Sequence, residues 1–382
     1  MGRSSHHFLT LAVLSVATLS LHLSPAAAFE ESSSRFVQTN IISNQTGVAT
    51  LTNPALLNPW GIAFGPAGDF WINTNDNGLS LLVDGTGTPT PGLPQVAVPL
   101  PAPPLRADTG PLSAPTGIIW NGSGGFALPG TTDPAIFVFD TEDGTISAWH
   151  PAVNLTNAVT VVDNSKVGSG GAVYKGLAFG VTATGPHLYA TNFRAATVDV
   201  YDATFTANLV DGAVPSAATA TNIKGTFADP KIPAGFAPYN IQNINGDLYV
   251  TYAKQDAPKH DSVAGAHLGF VDIFSTDGVL LKRFAEGGAL NAPWGVVQAP
   301  PGFGDLGNTI LVGNFGDGTI NIFSPDGQFC GQLKGSNGKP LVNPFLWTLV
   351  FGGASKTSPD TLYFSSGPNN QANGLFGMIA PQ

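Results

Sequence analysis

Six segments of the chain open alike, and this recurrence limits the fold more than any other feature. Most begin on Pro, continue with an aromatic or polar residue and a Gly, and run on into apolar residues. They are Pro59-Trp60-Gly61-Ile62, Pro115-Thr116-Gly117-Ile118, Tyr174-Lys175-Gly176-Leu177, Pro238-Tyr239-Asn240-Ile241, Pro293-Trp294-Gly295-Val296 and Pro344-Phe345-Leu346-Trp347-Thr348. The markers Gly61, Gly117, Gly176, Asn240, Gly295 and Thr348 stand 53 to 64 residues apart. A fixed period of this length is the mark of a repeat architecture.

Within the units, further apolar runs follow at regular intervals. A second run reads Phe70–Asn73, Leu188–Asn192, Leu248–Tyr252, Ile310–Asn314 and Leu362–Ser365. A third alternates with period two, as in Thr197–Tyr201, Gly269–Phe274 and Thr319–Phe323, and alternation of that kind predicts strands. Asp-Gly pairs in Thr141–Gly144, Ser275–Gly278 and Ser324–Gly327 predict tight hairpins closing the third run onto a fourth strand. Four antiparallel strands repeated six times describe an all-β, six-bladed β-propeller. The last unit shows only three strands, and an unassigned strand, Arg35–Ile42, precedes the first. That N-terminal strand is expected to complete the last blade and close the ring, which protects the sheet edges. The Pro-rich stretch Thr86–Pro115 lacks strand periodicity and is expected to be a surface loop.

Composition agrees and removes other classes. Charged residues are 10% of the chain, against roughly 25% in ordinary domains. Gly 47 and Pro 31 argue against a helical bundle. Lys+Arg 15 against Asp+Glu 25 leaves a formal charge of −10, so no nucleic-acid partner is expected. A hydrophobic content of 43% excludes a disordered chain.

Residues 1–28 read as a secretory signal peptide: Arg3, an apolar stretch from Phe8 to Leu23, and a small-residue site at Ala26-Ala27-Ala28. Residues 29–382 would then form one propeller domain, secreted, extracellular or periplasmic. No membrane span is expected in the mature chain, and a monomer is. The one cysteine, Cys330, leaves no intrachain disulfide and reads as a small apolar residue in a strand.

Beyond the generic pattern, Asn58-Pro59-Trp60-Gly61, Tyr174-Lys175-Gly176, Leu188–Arg194, Pro238–Gln242, Tyr252–Asp256 and Asn314–Gly318 are particular. Through them the chain resembles a family of secreted, mostly bacterial proteins of uncharacterised function that is itself similar to six-bladed NHL-type propellers. The resemblance spans essentially the whole mature chain. It implies fold and export but no activity. Some members carry a C-terminal sorting signal; this chain ends at Gln382 without an apolar tail or basic stop, so a free secreted protein is expected.

Propeller ligands usually meet the channel face that carries the beginnings of the innermost strands. Those positions give Trp60, Thr116, Lys175, Tyr239, Asn240, Trp294 and Trp347; the ends of the second strands add Asn192, Tyr252 and Asn314, with Asp76, Arg194 and Asp317 beside them. Aromatic faces next to amides suit sugars or planar ligands. The same residues have a plainer role open to them, with tryptophans as wedges between blades and asparagines capping turns. The loop from Lys254 to His267 gathers Lys254, Gln255, Asp256, Lys259, His260, Asp261 and His267 in a chain otherwise poor in charge. Function often sits on such loops.

No zinc-binding, phosphate-loop or serine-nucleophile motif is present in the sequence. The leading expectation is a non-catalytic binding protein for an extracellular glycan, small molecule or protein, without a cofactor. The alternative is a metal-dependent hydrolase of the gluconolactonase type. Six-bladed lactonases resemble this architecture, and the resemblance implies Ca²⁺ held by Glu, Asp and Asn at the channel. Asn192, Asn240 and Asn314 offer oxygens of the kind calcium takes. No Glu stands at an opening position, so Asp76, Asp256 or Asp317 would have to supply the carboxylate. A channel plugged by Trp60, Trp294 and Trp347 would instead favour a structural surface protein.

Overall fold

A computed structural model describes residues 1–2, 35–103, 110–168, 170–208 and 223–382. The chain parts into two compact units, Met1–Glu30 and Glu31–Gln382, and all six repeats lie in the second. The expected leader, 1–28, lies outside the described residues apart from Met1 and Gly2.

Six antiparallel sheets form, one per repeat. From the inside outward, blade 1 has Pro59–Ala63, Phe70–Thr74, Leu79–Val83 and Gln95–Ala97; blade 2 has Pro115–Trp120, Phe137–Thr141, Thr145–Trp149 and Val159–Asp163. Blade 3 has Tyr174–Thr182, Gly185–Asn192, Thr197–Asp202 and Ala207–Asn208; blade 4 has Phe236–Ile244, Asp247–Gln255, Phe270–Ser275 and Leu280–Glu286. Blade 5 has Pro293–Gln298, Ile310–Asn314, Ile320–Phe323 and Phe329–Gln332. Blade 6 has Leu346–Phe351, Leu362–Ser366 and Leu375–Pro381, and its outer strand is the N-terminal Phe36–Ser43. That strand pairs antiparallel with Leu375–Pro381 from Phe36↔Pro381 to Ser43↔Leu375, so the ring closes as expected. The six inner strands contact one another in sequence, with blade 6 returning to blade 1. The core lies between neighbouring sheets, as in the cluster of Phe70, Ile72, Leu81, Tyr363 and Phe376 joining blades 6 and 1.

The repeated opening now has a physical meaning. In all six inner strands the register with the second strand shifts just where the marker residue stands, between Pro59 and Ile62, Pro115 and Ile118, Tyr174 and Leu177, Pro238 and Asn240, Pro293 and Val296, and Leu346 and Leu349. Such β-bulges bend a strand and re-aim its residues. Here they bring adjacent inner strands close. A Cβ on Gly61 would stand 2.4 Å from the Thr116 carbonyl oxygen, and one on Gly117 would stand 2.4 Å from the Leu177 nitrogen. Where the marker is not Gly, its side chain crosses the gap. The Asn240 amide donates to the Trp294 carbonyl at 2.8 Å, and the Thr348 hydroxyl donates to the Trp60 carbonyl at 2.7 Å.

Two expectations are corrected. The stretch Thr86–Pro115 is not wholly loop: Gln95–Ala97 is the outer strand of blade 1, and Val96 is buried. Three residues are too short for periodicity to reveal. The hairpin Thr141–Gly144 joins the second and third strands of blade 2, not its third and fourth. It therefore projects from the channel face, whereas Ser275–Gly278 and Ser324–Gly327 do join third to fourth strands.

Candidate functional site

The inner strands begin at the upper mouth of the channel, and their first side chains fill it. Trp60 stacks on Trp347 with ring centroids 3.4 Å apart, and Trp294 meets both edge-on at 6.3 and 5.8 Å. Tyr239 and Phe315 pack around Trp347. All five are buried. Hydrogen bonds fix two of the indoles: Trp294 Nε1 donates to the Lys175 carbonyl at 3.2 Å, and Trp347 Nε1 donates to Asn58 Oδ1 at 3.1 Å.

A pocket of about 110 Å³ lies on this aromatic plug, lined by Trp60, Lys175, Tyr239, Asp261, Ser262, Phe315, Trp347 and Gln371. Lys175 is 1% exposed, and a buried ammonium needs a partner. It has several. Its Nζ bonds Glu142 Oε1, lies 3.5 Å from Asp261 Oδ1, and sits 5.1 Å from the centre of the Trp60 ring. Glu142 is held at its other oxygen by the Asn75 amide at 3.0 Å. Asp261 is held at 3.0 Å by His260 Nδ1. The His260 hydrogen bond, aided by the Lys175 charge, keeps the Asp261 carboxyl well below the usual range, so it is ionised near neutrality. On the blade 1 side burial raises the Asp76 pKa against the Asn58 hydrogen bond, and the charge of Glu142 raises it further.

His260 and Asp261 arrive from blade 4. Its second strand continues to Gln255, turns through residues 256–261, and returns as Ser262–Val263 in register with Lys254 and Gln255. Asp256 shapes the turn: its Oδ1 accepts the His260 N–H at 2.8 Å, and its backbone N–H donates to the Asp261 carbonyl at 2.9 Å. Lys259 takes a φ of 57°, the left-handed conformation that reverses the chain. Ser262, next in line, donates its hydroxyl to the Tyr239 phenol at 3.0 Å.

Of the residues singled out from sequence, the structure brings together Trp60, Lys175, Tyr239, His260, Asp261, Trp294 and Trp347. Most of the others serve the framework. Asn192 donates to Asp199 at 3.0 Å and accepts the Ala195 N–H at 3.2 Å. Arg194 ties down the carbonyls of Gly170 and Gly171. Asn240 bridges blades 4 and 5. Tyr252 lies in the core between blades 3 and 4. Gln255 donates to the Phe193 carbonyl, and Asn314 donates to the Ala289 carbonyl at 2.8 Å. Lys254 points to solvent. Glu142 was missed, as were the pocket roles of Ser262 and Gln371. The signal for Glu142 was present in the apolar run Ala135–Phe139, which leads into a second strand set apart from its inner strand by the loop 121–136. Corrected in this way, the channel face does carry a Glu.

The fold implied a test for calcium. Oxygen or nitrogen atoms of Glu142, His260 and Asp261 lie within 4.8 Å of one another, as ion ligands would. The Lys175 ammonium, however, is bonded to Glu142 and stands beside Asp261. It supplies the positive charge that these carboxylates need, and it opposes a second cation in the same space. The donor set does not fit a divalent ion.

Fold and site together define a six-bladed β-propeller with a charged pocket above an aromatic plug. A scan of known protein families gives no match. The chain is 32% identical over 343 residues to uncharacterized protein R648 of Acanthamoeba polyphaga mimivirus, covering 89% of this chain and 78% of that protein. It is 30% identical over 343 residues to uncharacterized protein L690 of the same virus, covering 89% and 84%. The chain belongs to the family of these mimivirus proteins. Among solved structures it is similar to a streptogramin B lyase, with TM-score 0.50 and 14% identity over 94% of this chain and 100% of that one. An auxiliary nutrient binding protein from Bacteroides thetaiotaomicron is similar at TM-score 0.50 and 10% identity, over 91% and 77%. Identities this low support the shared fold alone.

Proposed function

We propose that this is an exported, non-catalytic binding protein whose upper channel pocket takes a small polyhydroxylated ligand, such as the terminal unit of a glycan. One observation carries the reading. The pocket converges polar groups, namely the Lys175 ammonium, the ionised Asp261, the Ser262 hydroxyl and the Gln371 amide, over a floor of nearly covered aromatic rings. A sugar has the matching character, a rim of hydroxyls that both donate and accept. The lysine standing in the cation's place supports a site that works without a resident metal.

The test is isothermal titration against a panel of mono- and oligosaccharides, with metal content by elemental mass spectrometry on the same sample. One saccharide class is expected to bind. Asp261→Asn and Gln371→Ala should each weaken it about tenfold, since each removes hydrogen bonds to a rim group. The melting temperature should stay unchanged in Gln371→Ala and fall slightly in Asp261→Asn, which gives up the pairing with His260 and Lys175. A stoichiometric ion whose removal by EDTA lowers the melt would overturn the reading in favour of the hydrolase.

A second reading has its own observation. The mutual packing of Trp60, Trp294 and Trp347 closes the channel, which favours a structural surface protein. A negative saccharide panel together with no bound ion would select it.

A further inference from the structure

The lower mouth of the channel, where the inner strands end, is built differently. A cavity of about 250 Å³ opens there, with Phe64, Ile118, Trp120, Phe179, Gln242 and Val350 among its walls. No charged side chain lines it. Inward of it the channel narrows to a space of about 30 Å³, so an occupant must stop at the mouth.

Trp120 is the informative residue. The chain has six tryptophans, and the other five are at most 5% exposed, whereas Trp120 is 37% exposed. Its indole is nevertheless closely held. A Cβ on Gly65 would come within 2.9 Å of the indole nitrogen, and one on Gly122 within 2.6 Å of the ring. Two glycines thus leave a slot the width of the indole and steady a ring that stays partly in water. At the rim, the exposed Gln242 amide makes no hydrogen bond among the described residues. Its neighbour Asn243 is occupied, donating to the Phe179 carbonyl at 2.9 Å and accepting from Gly246 at 2.9 Å.

We propose that the lower mouth is a second binding site, for a neutral, flat, ring-bearing small molecule with one hydrogen-bonding group on its edge. The rings enter against Trp120, Phe64 and Phe179, and the polar edge stays outside at Gln242. Size agrees: an apolar cavity of about 150 Å³ holds benzene, so this one has room for two fused rings. A concave, mostly apolar pocket with few polar groups is the usual form of a small-molecule site. The lack of charge on its walls selects a neutral ligand, because a buried ion would find no partner.

The probes are 2-naphthol and naphthalene, measured by equilibrium dialysis against the whole chain. Saturable binding of one 2-naphthol per chain is expected, tighter than naphthalene. Trp120→Ala should weaken both about tenfold, and Gln242→Ala should remove the preference for 2-naphthol. Val350→Phe, which fills the mouth from another wall, should block both, and it keeps the test sound if Trp120→Ala unfolds. Asp261→Asn, in the upper pocket, should change neither. Absence of saturable binding, or unchanged affinity in both Trp120→Ala and Val350→Phe, would overturn the proposal. So would a loss in Asp261→Asn, which would place the probe in the upper pocket.

Discussion

Two cations in this chain are each surrounded by carboxylates and laid over an aromatic ring. Lys175 sits at the upper channel mouth with Glu142 and Asp261, 5.1 Å from Trp60. Arg283 lies on the outer part of blade 4 with Asp229, Asp272 and Glu286, 5.0 Å from Phe270. The arginine binds with three nitrogens at once and joins two strands of its own blade to the loop at Asp229. The lysine is a compact charge that draws side chains from blades 2 and 4 over the ring of blade 1. Their acids respond in opposite ways. Burial pushes Asp272 up to about 6 despite Arg283. Asp261, whose side chain is 69% exposed, falls below the usual range because the His260 hydrogen bond outweighs desolvation. Ion pairing alone does not set a titration; access to water decides how much of the attraction remains. The outer cluster is a fastener. The inner one holds an ionised carboxylate facing a pocket.

This contrast can be broken most severely at the two cations. Lys175→Met leaves Glu142 and Asp261 without their cation and should cost about 3–5 kcal/mol in urea unfolding. Lys175→Met with Glu142→Gln should recover much of that, since the uncompensated charge is the main cost. Arg283→Met strips the cation from Asp229 and Asp272, both buried, and should cost about as much, while leaving saccharide binding intact. Loss of saccharide binding in Arg283→Met as well would mean that the two clusters do not have separate roles.

A smaller effect concerns pH. Asp140, fully buried in blade 2, accepts from the Thr116 hydroxyl at 2.8 Å and the Gly117 N–H, while its Oδ2 has no partner among the described residues. Desolvation pushes its pKa up to about 7, with Glu142 adding to the rise. An acid raised in the fold binds its proton more tightly there than when unfolded. Its contribution is therefore complete below about pH 4 and is lost as pH climbs through 7. Asp140→Asn keeps the acceptor oxygen and removes the charge. Thermal melts should show the variant ahead of the wild type at pH 8, with the gap closing towards pH 4.

The smallest effects sharpen the map of the blade 4 hairpin. His260→Ala should weaken ligand binding by freeing Asp261, while Lys254→Ala should alter neither binding nor melting. Both residues were singled out from sequence on equal terms, and only the turn geometry separates them.

Sequence made the ring legible because six bulged openings repeat one solution to close packing. The N-terminal closure was legible because a strand was left over at one end and a place at the other. The outer strand Gln95–Ala97 was not, since a three-residue edge has no period to detect. One charged member of the site was hidden for a different reason. Glu142 stands in a hairpin whose Asp-Gly pair reads the same at either end of a blade, and only the strand count before it tells which face it serves. Asn192 and Asn314 looked like ligands for the converse reason: an amide that caps a turn and one that meets a sugar are the same residue in a sequence.

The strand that closes blade 6 has a consequence for how the chain comes to be. Ser43 and Gly374, joined at 2.8 Å, are 331 residues apart. Contacts of such separation form late, because the intervening chain must be ordered first. During synthesis the earliest strand waits while five blades are made, its edge unpaired and open to wrong partners. Only when Leu375–Pro381 has emerged can the ring lock, so every blade must wait for that one strand before the circle is complete.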